Sequence, residues 1–410
     1  MPLFSLACVA IPPQLRGFEG PASAHQAFAV TLADGCIARI EPVPGCPTGT
    51  LLSAFVDLHV HLDKNFTVEH TGAIQGDLQA AITRIAQDRV GWTADDLHQR
   101  MTRGLVQAYA YGSRALRTHL DWVDVAQPPS VAVFQALREA WADKLTLQWV
   151  SLTPLDVFAE PAAGLHIAQA VRAGGGILGA FVYRNGAIDA KLQCVFELAV
   201  AQGLALDFHV DEGLDADAEG LRAIAKLTIA HQMQGRVTCG HACSLSVQGP
   251  ARALDTLALC AQAGIHLVAL PTTNLYLQGA WDSTPVPRGI TRLKEAVAQG
   301  GWPSLATDNV ADVFYPYGSY DLMDSFGLGV QAGHLAPAMD WLPCITTHPA
   351  RAMGLAWDGL LCSGCPADLV LLAASHDCEL LSPAGRQRRV WRRGIPLTDK
   401  LNESASHDPG

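Results

Sequence analysis

The sequence predicts an α/β protein: a closed (β/α)8 barrel of the TIM type, with a small β-sandwich domain formed from the N- and C-terminal segments. Three observations carry this expectation. Eight short β-rich runs alternate with amphipathic stretches. After the first, successive runs start roughly 28 to 37 residues apart, the spacing of a βα unit. Both ends of the chain read differently, as short strands and turns. A doubly wound open sheet is the competing arrangement.

In chain order, residues 1–54 supply the first part of the small domain, with Ala33-Asp34-Gly35-Cys36 reading as a hairpin turn. The barrel is expected over 55–359. Its strands fall near Ala54–His61, Ser113–Leu120, Leu145–Leu152, Gly176–Tyr183, Leu204–Val210, Arg236–His241, Ile265–Leu270 and Trp302–Asp308. Between them, Thr93 and Asp96 open a helix whose Leu97, Met101 and Leu105 share a face and which Gly112 can end. Residues 130–143, 189–202 and 216–234 read as further helices. Residues 360–400 return to the small domain through the apolar run ending Leu369-Val370-Leu371-Leu372 and then Val390–Gly394. The polar end, 401–410, is expected to fray.

Composition narrows the function. Of the 410 residues, 49% are apolar and 16% charged, enough apolar surface for one large core. A net charge of −11 argues against nucleic acid, whose phosphates need a basic face. The run Arg386-Gln387-Arg388-Arg389 with Arg392 and Arg393 is too short for that purpose and reads as the decoration of a surface strand. Small neutral or cationic substrates suit the charge better. The opening residues lack the pattern of a signal peptide, and no apolar run reaches the ~18–20 residues of a membrane span, so no membrane partner is expected. Eleven cysteines scattered through apolar segments point to a reducing cytoplasm.

The chemistry gathers at strand ends. His59 and His61 close the first barrel strand, and residues two apart on a strand face the same way. His209 ends the fifth strand, His241 the sixth and Asp308 the eighth. All five lie at the carboxyl ends of strands, where barrel enzymes build their sites. Imidazoles with one carboxylate suit one divalent metal ion, Zn or Fe, with a position left for water. Glu212, three residues past His209, is placed to move protons, although a solvated loop acid is the alternative reading. His119 reads equally as a residue behind the ligands or as a core histidine. The pairs Cys362/Cys365 and Cys239/Cys243 read as buried thiols rather than metal ligands. No phosphate loop and no Gly-x-Ser-x-Gly elbow is present.

These residues resemble a known family. The stretch Phe55-Val56-Asp57-Leu58-His59-Val60-His61-Leu62-Asp63-Lys64 is similar to the first-strand signature of cytosine deaminase-like amidohydrolases. Asp207–Glu212, Val237–His241 and Ala306–Asn309 resemble the later motifs in order. Asn274–Gly279 running through Arg288–Arg292 is also very similar, and Gly364–Leu372 resembles the closing strand of the small β domain. The resemblance implies that His59, His61, His209 and Asp308 hold the metal and that Glu212 shuttles protons. It also implies that His241 orients or polarises the attacking hydroxide and that Asp308 doubles as the base. Hydroxide adds to a ring carbon bearing an amino or imino group, and ammonia leaves. The absence of a lysine on the fourth strand argues against the two-metal, carbamylated-lysine form. The family often forms oligomers, so a homo-oligomer is compatible with the resemblance.

Two departures bear on substrate. A family glutamine after the third strand is matched here by Pro154, which offers no side-chain hydrogen bond, and a family aspartate beside the metal ligand is Asn309. Both argue against cytosine itself and toward isocytosine, creatinine-like rings or amino-substituted triazines. Gln278, Asn309, Asp312 and Tyr183 are the candidate recognition residues. The expected function is hydrolytic deamination of a small nitrogen heterocycle. The enzyme alternative is a cyclic amide or N-alkylamine hydrolase with the same mononuclear site, and the non-enzyme alternative is a metal-binding barrel serving as a binding protein.

Overall fold

The computed structural model describes residues 4–20 and 26–397, so the expectation for 401–410 lies outside the described residues. In chain order the strands are β1 (Phe4–Ala10), β2 (Ala27–Ala33), β3 (Cys36–Val43), β4 (Thr50–Ser53), β5 (Phe55–Val60), β6 (Ser113–Asp121), β7 (Thr146–Pro154) and β8 (Ile177–Val182). They continue with β9 (Leu206–Val210), β10 (Val237–His241), β11 (His266–Ala269), β12 (Ser304–Leu305), β13 (Leu369–Leu372), β14 (Arg388–Arg392) and β15 (Ile395–Pro396). Strands β5 to β12 form one eight-stranded parallel sheet in sequence order. A parallel bridge between Val60 and Asp308 closes it, with the Asp308 N–H donating to the His59 carbonyl at 2.9 Å. Consecutive order and closure exclude the doubly wound sheet.

Local chemistry explains each expected element and its limits. Thr93 caps the helix Ala94–Tyr111 by accepting from the Asp96 N–H, and Gly112 ends it in the left-handed conformation that glycine adopts without penalty. Leu97, Met101 and Leu105 are buried on one face of that helix, as the spacing requires. The helix expected over 216–234 is shorter, Gly220–Ala230, because the Asp211 carboxylate accepts from the Gly220 and Leu221 N–H groups and fixes its start there. The eighth strand is regular only at Ser304–Leu305. Pro303 has no N–H to donate before it, and the chain turns beyond it, with Asp308 at φ 62°.

The two terminal segments meet in one seven-stranded sheet, ordered β15-β14-β13-β4-β1-β2-β3. Asp34 and Gly35, both at positive φ, make the tight turn between β2 and β3. Alternation along β4 and β13 divides their side chains between two cores. Leu51, Leu369 and Leu371 pack with Phe28, Val30 and Trp391 inside the small domain, while Leu52, Val370 and Leu372 pack with Phe55, Phe326 and Ile345 against the barrel. Each such side chain contributes about 1.5–3 kcal/mol on burial.

The arginine run decorates a surface strand only in part: Arg389 and Arg393 are exposed, whereas Arg388 and Arg392 turn toward the barrel. Arg392 is buried and donates to the carbonyls of Tyr109 and Ser113 at 3.1 and 2.6 Å, and Arg388 donates to the carbonyl of Tyr111 at 3.2 Å. The Tyr109 and Tyr111 carbonyls lie in the last turn of the helix Ala94–Tyr111, where the helix dipole favours cations, and Ser113 opens β6. Arg388 and Arg392 therefore dock the small domain onto the barrel. No helix among the described residues is long and apolar enough to cross a membrane.

Candidate active site

The barrel strands end in turns that aim polar side chains into the mouth. The register of β5 against β6 shifts between Asp57 and Val60, an irregularity of the kind that re-aims side chains. Asp57 accepts from the Thr307 N–H at 3.2 Å and the Thr307 hydroxyl at 2.6 Å, tying the end of β5 to the segment that carries Asp308. His241, Ala242 and Asp308 adopt positive φ, a strain of order 1–3 kcal/mol each that sites commonly store. Gly240 is needed for close approach: a Cβ there would lie 2.8 Å from the His59 ring.

The expected ligand atoms converge. His59 Nε2 lies 3.1 Å from His209 Nε2, which lies 3.2 Å from His61 Nε2. Asp308 Oδ1 lies 3.5 Å from His59 Nε2 and 3.1 Å from His61 Nε2. Donors held about 2.1 Å from one ion at tetrahedral angles would be about 3.4 Å apart. Hydrogen bonding accounts poorly for this set, since His209 Nε2 offers one proton or one lone pair and faces two other nitrogens. Burial and the neighbouring histidines hold His59 and His209 well below the usual imidazole range, and burial and Lys64 do the same for His61, so all three are neutral donors. Asp308 is fully buried, its oxygens accept no well-aligned hydrogen bond, and burial raises its carboxyl. Neutral nitrogens around one carboxylate fit a divalent cation. His119 belongs to the same cluster as His59, His61 and His209, its ring 3.9 Å from that of His59 and its Nε2 3.3 Å from Asp207 Oδ1.

Glu212 and His241 complete the group. Glu212 is 4% exposed, and burial together with Asp308 pushes its carboxyl well above the ordinary range, against the pull of Lys64. Its Oε1 is 3.4 Å from His241 Nδ1. Asn274 donates from Nδ2 to His241 Nδ1 at 3.0 Å, which leaves the imidazole proton on Nε2 in this amide orientation. Burial lowers His241 to about 3, so the ring is neutral.

His61, His209, Glu212, His241 and Asn309 line an inner cavity with Leu78, Ile82, Phe181, Phe314 and Pro154. Pro154 thus presents an apolar face there. Glu212, Phe181, Leu78 and Ile82 also border a wider outer chamber that contains Gln278 and Tyr183. Asp312 lines neither. It accepts from Asn309 Nδ2 at 2.7 Å and from the Phe314 and Tyr315 N–H groups at 2.8 and 3.0 Å, and so pins the loop that carries Asn309. All eleven cysteines are free, and none joins the histidine and aspartate clusters able to hold a metal among the described residues.

Sequence reasoning missed Asn274 as the partner of His241, although the surrounding segment was singled out. It also missed Lys64, Arg89 and Asp121 on the cavity wall, which come from three separate elements.

The model of the amidohydrolase family matches residues 131–388. The chain is 39% identical over 398 residues to a pterin deaminase of Rhizobium rhizogenes, covering 94% of this chain and 91% of that protein. It is 26% identical over 369 residues to an N-isopropylammelide isopropyl amidohydrolase of a Pseudomonas species, covering 86% and 87%. Among solved structures it is similar to 5-methylcytosine deaminase of Klebsiella pneumoniae liganded with 5-fluorocytosine. That match has a TM-score of 0.84 at 25% identity, over 96% of this chain and 97% of that one.

Proposed function

We propose that this chain, which belongs to the amidohydrolase family, hydrolytically deaminates a 2-amino-4-oxopyrimidine ring, with a bicyclic pterin as the leading substrate. The pyrimidine half of a pterin carries the edge of isocytosine, and the likeness to a pterin deaminase supports the fused ring. The observation that carries the reading is the convergence of His59, His61, His209 and Asp308 beside Glu212 and His241 on one largely apolar cavity. Water replaces the amino group: a C–O bond forms at the ring carbon, the C–N bond breaks and ammonia leaves.

One divalent ion, zinc or iron, held by His59, His61, His209 and Asp308, would supply Lewis acidity and bring a water toward ionisation near neutral pH. Asp308 takes a proton from the attacking water. Glu212, buried and proton-bearing, gives its proton to the ring nitrogen, takes up the proton of the added hydroxyl as the carbonyl forms, and passes that proton to the leaving nitrogen; the proton held by Asp308 then restores Glu212. His241 Nε2–H, fixed by Asn274, steadies the developing negative charge on oxygen. Phe181, Phe314, Leu78 and Ile82 flank the ring and keep bulk water away. Gln278, Asn309 and Tyr183 contact the substrate, and Asp312 supports Asn309. The eleven free thiols fit a cytoplasmic setting, and the small cavity fits a small molecule rather than nucleic acid.

Cyclic amide or N-alkylamine hydrolysis by the same residues is the second reading, favoured by the likeness to an N-isopropylammelide hydrolase. Ammonia release from metal-replete protein over pterin, isocytosine, cytosine, 5-methylcytosine, creatinine and N-isopropylammelide separates the two. Ammonia from pterin above all others is expected. Isopropylamine release instead would select the second reading, and silence on every compound would contradict both.

A further inference from the structure

Deamination as derived leaves one buried cation in the cavity without a task. Lys64 lies three residues beyond His61 with its side chain 5% exposed, and it lines the inner cavity. Its ammonium donates to Asp121 Oδ1 at 2.7 Å and sits 5.1 Å from the centre of the Phe314 ring. The other Asp121 oxygen accepts from Arg89, so one carboxylate is shared by two cations, and the Asp121 N–H is held by Asp63 at 2.7 Å. Lysine has three N–H donors. Asp121 takes one, and the Lys64 ammonium makes no other hydrogen bond to a described residue. Arg89 Nε is likewise buried without a partner.

Burying an ammonium is costly unless its hydrogens are used, so spare donors on the wall of the ring pocket call for an acceptor on the ligand. Burial works against the charge of Lys64, yet the pull of Asp121 and Asp63 outweighs it and keeps the ammonium protonated. A ring oxygen, especially that of an ionisable lactam, is an acceptor that fits such a pocket.

We propose that Lys64, anchored by Asp121 and Arg89, determines specificity by donating to the ring oxo group, so that amino-oxo heterocycles are chosen over diamino analogues. A diamino ring presents N–H groups to N–H groups at that position and leaves a buried cation unpaired, which is how polar pockets reject near-isosteres. The inference rests on the deaminase reading for its substrate class, while its test uses binding alone.

The test is calorimetric titration of metal-replete protein with two probes, pteridine-2,4-dione and pteridine-2,4-diamine. Wild type is expected to bind the oxo probe about 10- to 100-fold more tightly. Lys64→Met keeps the stem against Phe314 and removes the charge; it should lose that preference through weaker binding of the oxo probe alone. If Lys64→Met does not fold, the paired variant Lys64→Met/Asp121→Asn removes both charges together and should show the same loss. Equal binding of the two probes by wild type, or a preference that survives in either variant, would overturn the proposal. Failure of the deaminase reading shows separately, as an intact binding preference with no ammonia released from pterin.

Discussion

Two layers of the same barrel strands handle buried charge in opposite ways. In the lower layer Arg117 of β6 uses all five of its N–H donors. It binds Gln148 Oε1 through Nε and Nη2, Asp207 Oδ2 and Thr238 Oγ1 through Nη1, and the Ala352 carbonyl through Nη2, at 2.9 to 3.1 Å. Two residues further along these strands, His119 follows Arg117 and His209 follows Asp207. There the side chains are as buried, yet His59, His61, His209 and Asp308 aim their donor atoms at one point instead of at partners of opposite character. The lower layer is a finished network that holds the barrel. The upper layer is complementary to something not made of protein. Burial alone therefore does not distinguish a structural charge from a functional one; the accounting of donors and acceptors does.

That contrast can be broken by substitutions of unequal effect. Glu212→Gln should lower turnover by about 10³-fold or more while metal content and melting temperature stay close to wild type, since only the moving proton is lost. Turnover within a few-fold of wild type would remove Glu212 from the mechanism. Arg117→Met should do the reverse. It strands Asp207 without its guanidinium and is expected to cost about 3–5 kcal/mol in chemical denaturation, with kcat per folded molecule little changed. A loss of activity without a loss of stability would erase the distinction between the layers.

Smaller effects sharpen it. Asn274→Ala frees the His241 ring to change tautomer and should reduce kcat about 10- to 100-fold with little change in KM, whereas a purely structural asparagine would lower stability first. Asp312 lies outside both layers and is titrated by burial, which raises it to about 7 against the hydrogen bonds from Tyr315, Asn309 and Phe314. Its folded value exceeds its unfolded one, so the folded state binds the proton more tightly. This contribution is full below about pH 4 and is lost as pH rises toward 7. Melting temperatures across that range should fall less steeply for Asp312→Asn than for wild type; identical slopes would show that Asp312 does not titrate there.

The barrel was legible because strand spacing and strand-end histidines are local features. His59 and His61 differ by two positions on one strand, and His209, His241 and Asp308 each close a strand, so the geometry of the fold turns sequence position into spatial convergence. Relations set by packing were not legible. Asp121 joins Lys64 from 57 residues away, and Arg89 reaches it from a helix, Leu78–Arg89, that no motif announced. The docking role of Arg392 was not legible because its carbonyl partners, Tyr109 and Ser113, lie some 280 residues earlier, which no local pattern reveals. Asp312 reads from the sequence as a candidate recognition residue, and only the fold shows that its oxygens are spent on its own loop.

The central claim is that the upper layer is built around one divalent ion. Elemental analysis of protein purified in metal-supplemented medium and dialysed free of loose ions tests it most directly. One zinc or iron per chain, falling well below one in His61→Ala and unchanged in Arg117→Met that remains folded, is the result this account predicts. No bound ion in wild type, or two per chain, would contradict it.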